Sequence, residues 1–190
     1  MSTPICPDDC TTTLANWNFD DCAPEWNRGE ISRVYLFNVG YPVIANPKTD
    51  PAGFIAEMAA RVSNTSAVAN AIRSLTVIGE KAEPETNMIK MSGNREIVTS
   101  KKHNIIFDID ELSQENMDAL RQLECGNNFL MMFENGTKIF GGSDNVNDGI
   151  PVSFVASLVI PRDRSALDYW RCTMTWEDKF HPDSCENPLI

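Results

Sequence analysis

In the stretch YWRCTMTWE, residues 169–177, the apolar Trp170, Cys172, Met174 and Trp176 alternate with Arg171, Thr173, Thr175 and Glu177. Successive side chains on a strand point to opposite faces, so this alternation sets one face on a core and the other in water. Half-buried strands of this kind belong to antiparallel sheets, because parallel strands are covered on both faces. The chain therefore has to build an antiparallel sheet over a core that accepts two indoles.

The rest of the chain supplies partners for that strand. Ile31 to Phe37 is rich in β-branched and aromatic residues and reads as the first strand. Met88–Met91 and Arg95–Thr99 flank Ser92-Gly-Asn94, which predicts a hairpin, and His103 to Asp110 predicts a separate strand with Ile105, Phe107 and Ile109 on one face. Phe129–Glu134 and Thr137–Phe140 flank Asn135-Gly136, the preferred pair for a two-residue hairpin turn. Ile150 to Ile160 follows the polar loop GGSDNVNDG.

Two helices interrupt the strands. Asp50-Pro51 is a helix start, since Asp caps free amides and Pro at the first helical position loses no hydrogen bond. Phe54, Ile55, Met58, Ala59 and Val62 then recur at helical spacing. Ser113 caps a second helix carrying Met117, Leu120 and Leu123, with Gly126 just past its end. Residues 66–78 are ambiguous, helix-favouring in their first half and strand-favouring from Leu75 to Ile78.

The predicted fold class is mainly β, a two-sheet antiparallel β-sandwich or barrel with a flanking α-helix over about 113–125 and a short helix over about 51–63. At 190 residues one domain suffices. Residues 1–29 read as an N-terminal arm, polar but carrying Trp17, Phe19 and Trp26, aromatics suited to docking on this subunit or a neighbour; residues 30–180 are the domain and 181–190 a C-terminal tail.

Sixteen basic against 27 acidic residues leave a formal charge of −11. Nucleic-acid binding through phosphates needs a basic patch, so that function class is disfavoured, and any self-assembly works against charge repulsion. No apolar run approaches the roughly 20 residues of a membrane span, and the N-terminus has no basic region leading into an apolar one. Synthesis in cytosol is expected, where six cysteines are more often thiols than a disulfide framework.

Chemistry is sparse. Only two histidines are available as bases; His103 reads as a solvated residue opening a strand, and His181 lies in the tail. Asp108 and Asp110 share a strand face, which is ordinarily a solvated one; a glycosidase-like carboxylate pair is the chemical alternative. The run DNVNDG, residues 144–149, lacks calcium-loop spacing because Val146 stands where an oxygen ligand is required. CPDDC at Cys6–Cys10 and HPDSC at His181–Cys185 could supply four zinc ligands if the termini meet. Cys6, Cys10, Cys22 and Cys185 could instead form disulfides or stay free thiols. No catalytic, cofactor-binding or metal residue is assigned, no cofactor is expected, and the chain is read as a non-enzyme.

Residues from about Leu75 to Phe180 resemble the tail-tube proteins of long-tailed bacteriophages and the inner-tube proteins of contractile injection systems. The likeness lies in the order of IIFDID, SQENMDALRQLEC, NNFLMMFENGTKIFGG, a loop, GIPVSFVASLVI and YWRCTMTWED. It implies a structural virion protein whose six subunits join their sheets into a ring. Stacked rings form a tube for genomic DNA, which passes through without specific binding. It also implies partners among copies of the chain and other virion structural proteins, no membrane, and a place in the virion tail after synthesis in the bacterial cytoplasm. The arm, the helix at 51–63 and the Cys-containing tail are additions to a minimal tube subunit and suit inter-ring clamps. A tail terminator, a head-tail connector or an auxiliary capsid protein would also accommodate them, and a zinc-stabilised binding module is the alternative outside the virion.

Overall fold

In the computed structural model the described residues are 30–66, 68–91, 95–109, 114–125, 129–162 and 168–190, with side chains omitted at 114–116, 122 and 125. The arm, the Ser92-Gly-Asn94 turn, Asp110, Ser113 and Gly126 fall outside them.

The strands in chain order are β1 (Ile31–Asn38), β2 (Arg73–Lys81), β3 (Glu85–Met91), β4 (Arg95–Ile109), β5 (Phe129–Glu134), β6 (Lys138–Phe140), β7 (Ile150–Pro151), β8 (Ser153–Val159), β9 (Tyr169–Asp178) and β10 (Ser184–Glu186). Helix α1 (Pro51–Arg61) joins β1 to β2, and α2 (Gln114–Cys125) joins β4 to β5. The protein is mainly β, as its alternating segments predict, and every named strand pair is antiparallel.

These strands form a single hydrogen-bonded sheet in the order β10-β6-β5-β1-β2-β4-β9-β8, not two separate sheets. The physical reason is β1, which bonds β5 along one side and β2 along the other and so ties the expected halves together. The sheet also curls back on itself. β7 pairs with β5 through Met131 and Ile150, while β8, one residue further on, pairs with β9 from Ser153 to Val159. One extended segment thus links β5, near one end of the ladder, to β9, beside the other, and the curved body is barrel-like. Gly149 opens that segment at φ 69°, where a Cβ would stand 2.6 Å from the Phe37 ring, so glycine is required there.

The inward face packs Val34, Leu36, Val77, Ile105, Phe107, Met131, Phe133, Phe154, Cys172, Met174 and Trp176, with Leu120 of α2 at the same cluster. On the outer face of β1, β5 and β6, a second cluster joins Tyr35, Phe37, Met132 and Ile139 to Phe54 and Met58 of α1. The predicted cap is present, since Asp50 accepts from the Gly53 amide at 2.9 Å with Pro51 following. The apolar face is narrower than its spacing suggests: Phe54 and Met58 are buried, whereas Ile55 and Val62 face solvent. Glu57 accounts for the remainder, accepting from the Ile44 and Ala45 amides and pairing with Arg61, so α1 is held by polar groups as well as by packing.

Several local expectations shift. Residues 95–109 are one strand of 15 residues instead of two strands. The ladder pairs Glu134 with Ile139, and the Asn135 amide donates to the Lys138 carbonyl, so the two-residue turn is Gly136-Thr137, one position beyond Asn135-Gly136. Gly136 takes the positive φ of 84°, and the Asn135 side chain accepts from the Lys138 amide at 2.8 Å. The described part of 66–72 is not helical, and β2 begins at Arg73. The segment 181–190 carries β10, which extends the sheet beside β6.

Candidate assembly surface

Among the described strands, β3 is the most exposed. β9 accompanies β4 only from Lys101 onward, and β2 only from Ile105, so Arg95–Ser100 have no strand neighbour except β3. At about 3.3 Å per residue, these six residues carry the hairpin on the order of 20 Å past the body. All seven residues of β3 are exposed.

Yet its sequence is not that of a solvated hairpin. Cross-strand partners share a face, so Ile89 with Ile97, joined by Met91, lie on one side and Met88 with Val98 on the other. Met88, Ile89, Met91 and Ile97 are each 44–58% exposed. A two-stranded ribbon is marginal alone in water, and apolar groups on both faces leave it without an internal core. The ladder shifts between Asn87 and Met88, leaving Thr99 unpaired in register; its hydroxyl donates to the Asn87 carbonyl at 3.1 Å. A bulge at that place reorients the ribbon relative to the body.

The long open edge at the other end of the sheet is managed differently. β8 bonds only β9, and Glu124 of α2 accepts from the Ala156 amide at 2.8 Å, covering part of that edge. Val155 and Leu158 remain exposed on β8, with Ile160 just beyond it.

The chemistry-bearing residues are scattered. Cys6, Cys10 and Cys22 lie outside the described residues, as does the side chain of Cys125. Cys172 is fully buried in the core, where burial pushes its thiol pKa up to about 12. Cys185 sits on β10 against the outer cluster, its pKa raised chiefly by burial. His181 faces elsewhere, edge-on to His103 at 5.4 Å, and among the described residues no group of three or more His, Cys, Asp or Glu could hold a metal. Asp108 is clamped by Arg171 through two bonds of 3.0 Å, and Asp110 is outside the described residues. In the 144–149 loop Val146 is buried, serving the outer core.

His103 corrects the sequence reading. It is not solvated but 0% exposed, stacked on Trp176 at 5.0 Å, and neither ring nitrogen has a hydrogen-bond partner of sound geometry. The cause is the continuity of β4, which puts His103 in mid-strand and in line with the inward Ile105 and Phe107. Burial lowers its pKa, and the charge of Lys81 and then His181 lowers it further, against weaker opposition from the Phe180 main chain and Asp178.

No family model matches the chain, and neither a curated protein nor a solved structure matches it. Among the described residues no helix is long and apolar enough to cross a membrane.

Proposed function

We propose that the protein is a structural virion component that assembles with copies of itself, as hexameric rings stacked into a phage tail tube for the passage of DNA. The observation that carries this reading is the β3–β4 hairpin, a ribbon extended past the body with apolar side chains on both faces. Burying those faces on a neighbour would remove the apolar surface from water and give the ribbon the core it lacks. The order of strands and helix from Leu75 to Phe180 resembles that of tube subunits, and this resemblance supports the reading of a ring and a tube. The net charge of −11 suits a lumen along which DNA slides without adhering. Its partners are other copies of the chain and further virion structural proteins, and its location is the tail.

Analytical ultracentrifugation over a concentration series tests the reading. A species of six subunits that grows with concentration is expected. A single monomer boundary at every concentration would overturn it.

A further inference from the structure

Four basic groups converge at one end of the barrel in an otherwise acidic chain. Lys81 ends β2, Lys101 and His103 lie on β4, and His181 follows β9. Lys101 Nζ is 3.3 Å from His181 Nε2, a separation at which the ammonium donates to a neutral imidazole. Lys81 is half-buried and, among the described residues, has neither a hydrogen bond nor an ion pair; its pKa is lowered by burial and then by Lys101. Beneath them lies His103, wholly buried, with neither ring nitrogen in a hydrogen bond of sound geometry and only the Phe180 main chain close by as a weak acceptor. Among the described residues the carboxylate acting on His103 is Asp178 of β9, across the ladder from Lys101, whose Oδ1 already accepts from the Phe180 amide at 3.0 Å. Donors therefore outnumber acceptors. A buried polar group without a partner carries a cost that a bound acceptor would relieve.

We propose that Lys81, Lys101, His181 and His103 form a binding site for a small tetrahedral oxyanion of the phosphate class. Two ammoniums offer charge-assisted hydrogen bonds, and the histidines offer N–H donors once protonated. A free anion fits better than a nucleic-acid strand, because a molecule of charge −11 repels a polyanion and the basic groups form a spot, not a track. The histidine pKa values also set the pH response. Burial and the neighbouring lysines hold both below the ordinary value of 6.5. A bound anion favours their protonated forms, so by linkage affinity rises as pH falls below that value.

Calorimetric titration of the full chain tests the site, using inorganic phosphate near neutral pH, and sulfate at about pH 6 and about pH 8 because its charge is constant between them. One site per chain is expected, with sulfate tighter at the lower pH. The double variant Lys81→Gln/Lys101→Gln should bind about tenfold or more weakly with an unchanged circular dichroism spectrum, while Lys81→Arg retains binding. Should the double variant misfold, His103 ring resonances in the wild-type protein give an independent reading, since they must shift saturably with phosphate. The absence of saturable heat, wild-type affinity in the folded double variant, unmoved His103 resonances, or tighter binding of a short single-stranded oligonucleotide than of phosphate would each overturn the site.

Discussion

Glu134 is a carboxylate at 6% exposure, and its partners explain how the end of the chain is fastened. Tyr35 donates to its Oε2 at 3.2 Å, Asn187 donates to the same oxygen at 2.8 Å, and Arg33 stands 3.6 Å from Oε1. Replacing Asn187 with Ala removes the shortest of these bonds from a buried acceptor and should cost about 1–3 kcal/mol in urea unfolding. A loss below about 0.5 kcal/mol would mean that water replaces the amide without penalty. Cys172 gives a second residue-scale expectation. With its thiol buried and its pKa raised to about 12, it should resist alkylation in the folded protein and react only on unfolding. Site-resolved mass spectrometry checks this, and labelling of Cys172 at the rate of an exposed thiol would contradict it.

His103 carries a pH dependence whose sign follows from its lowered pKa. The unfolded chain binds a proton near the ordinary value of 6.5 while the fold resists it, so this contribution is intact above that pH and is lost as pH falls through the folded value. The melting temperature of His103→Phe should therefore decline less between about pH 7.5 and pH 5 than that of the parent. Equal declines would assign the pH dependence to other groups. The burial of His103 was not legible in the sequence, because Lys101-Lys102 before it suggests a solvated start and only strand continuity places it in line with Ile105 and Phe107. By contrast Trp170, Cys172, Met174 and Trp176 could be assigned to the inward face directly, since period-two alternation leaves little choice of register.

At the scale of elements, the strands with a clear apolar face and both helices were legible, as were the Asp50 cap and the Lys138-proximal hairpin to within one residue. Elements defined by distant partners were not. β10 is three residues long, and its place depends on β6 and on the Glu134–Asn187 contact instead of on any pattern within HPDSC. The mainly β, antiparallel class was legible, but the joining of the strands into one continuous sheet was not, since strand pairing across β1 is a tertiary choice that alternation alone does not encode. The candidate surface is partly legible: the pattern of 88–91 and 95–99 predicts a hairpin, but its exposure on both faces follows from where β9 and β2 stop. Because the hairpin adds little to the core, the pair Ile89→Lys and Ile97→Lys should leave urea stability within about 1 kcal/mol of the parent and abolish association in light scattering. Unchanged association in the folded double variant would remove the hairpin from the interface.

For the whole molecule, the barrel-like body and the extended ribbon divide the work. The body is internally complete, with a core inside the curved sheet and a second cluster under α1. The ribbon is incomplete alone, and its apolar faces call for a partner while the net charge of −11 opposes one. Association should accordingly strengthen with salt, which screens repulsion on the scale of about 8–10 Å without weakening apolar contacts. Negative-stain electron microscopy of the concentrated protein at moderate salt tests the central claim most directly. Rings of uniform diameter, stacking into tubes, are the expected result. Isolated particles of single-subunit size under the same conditions would contradict it.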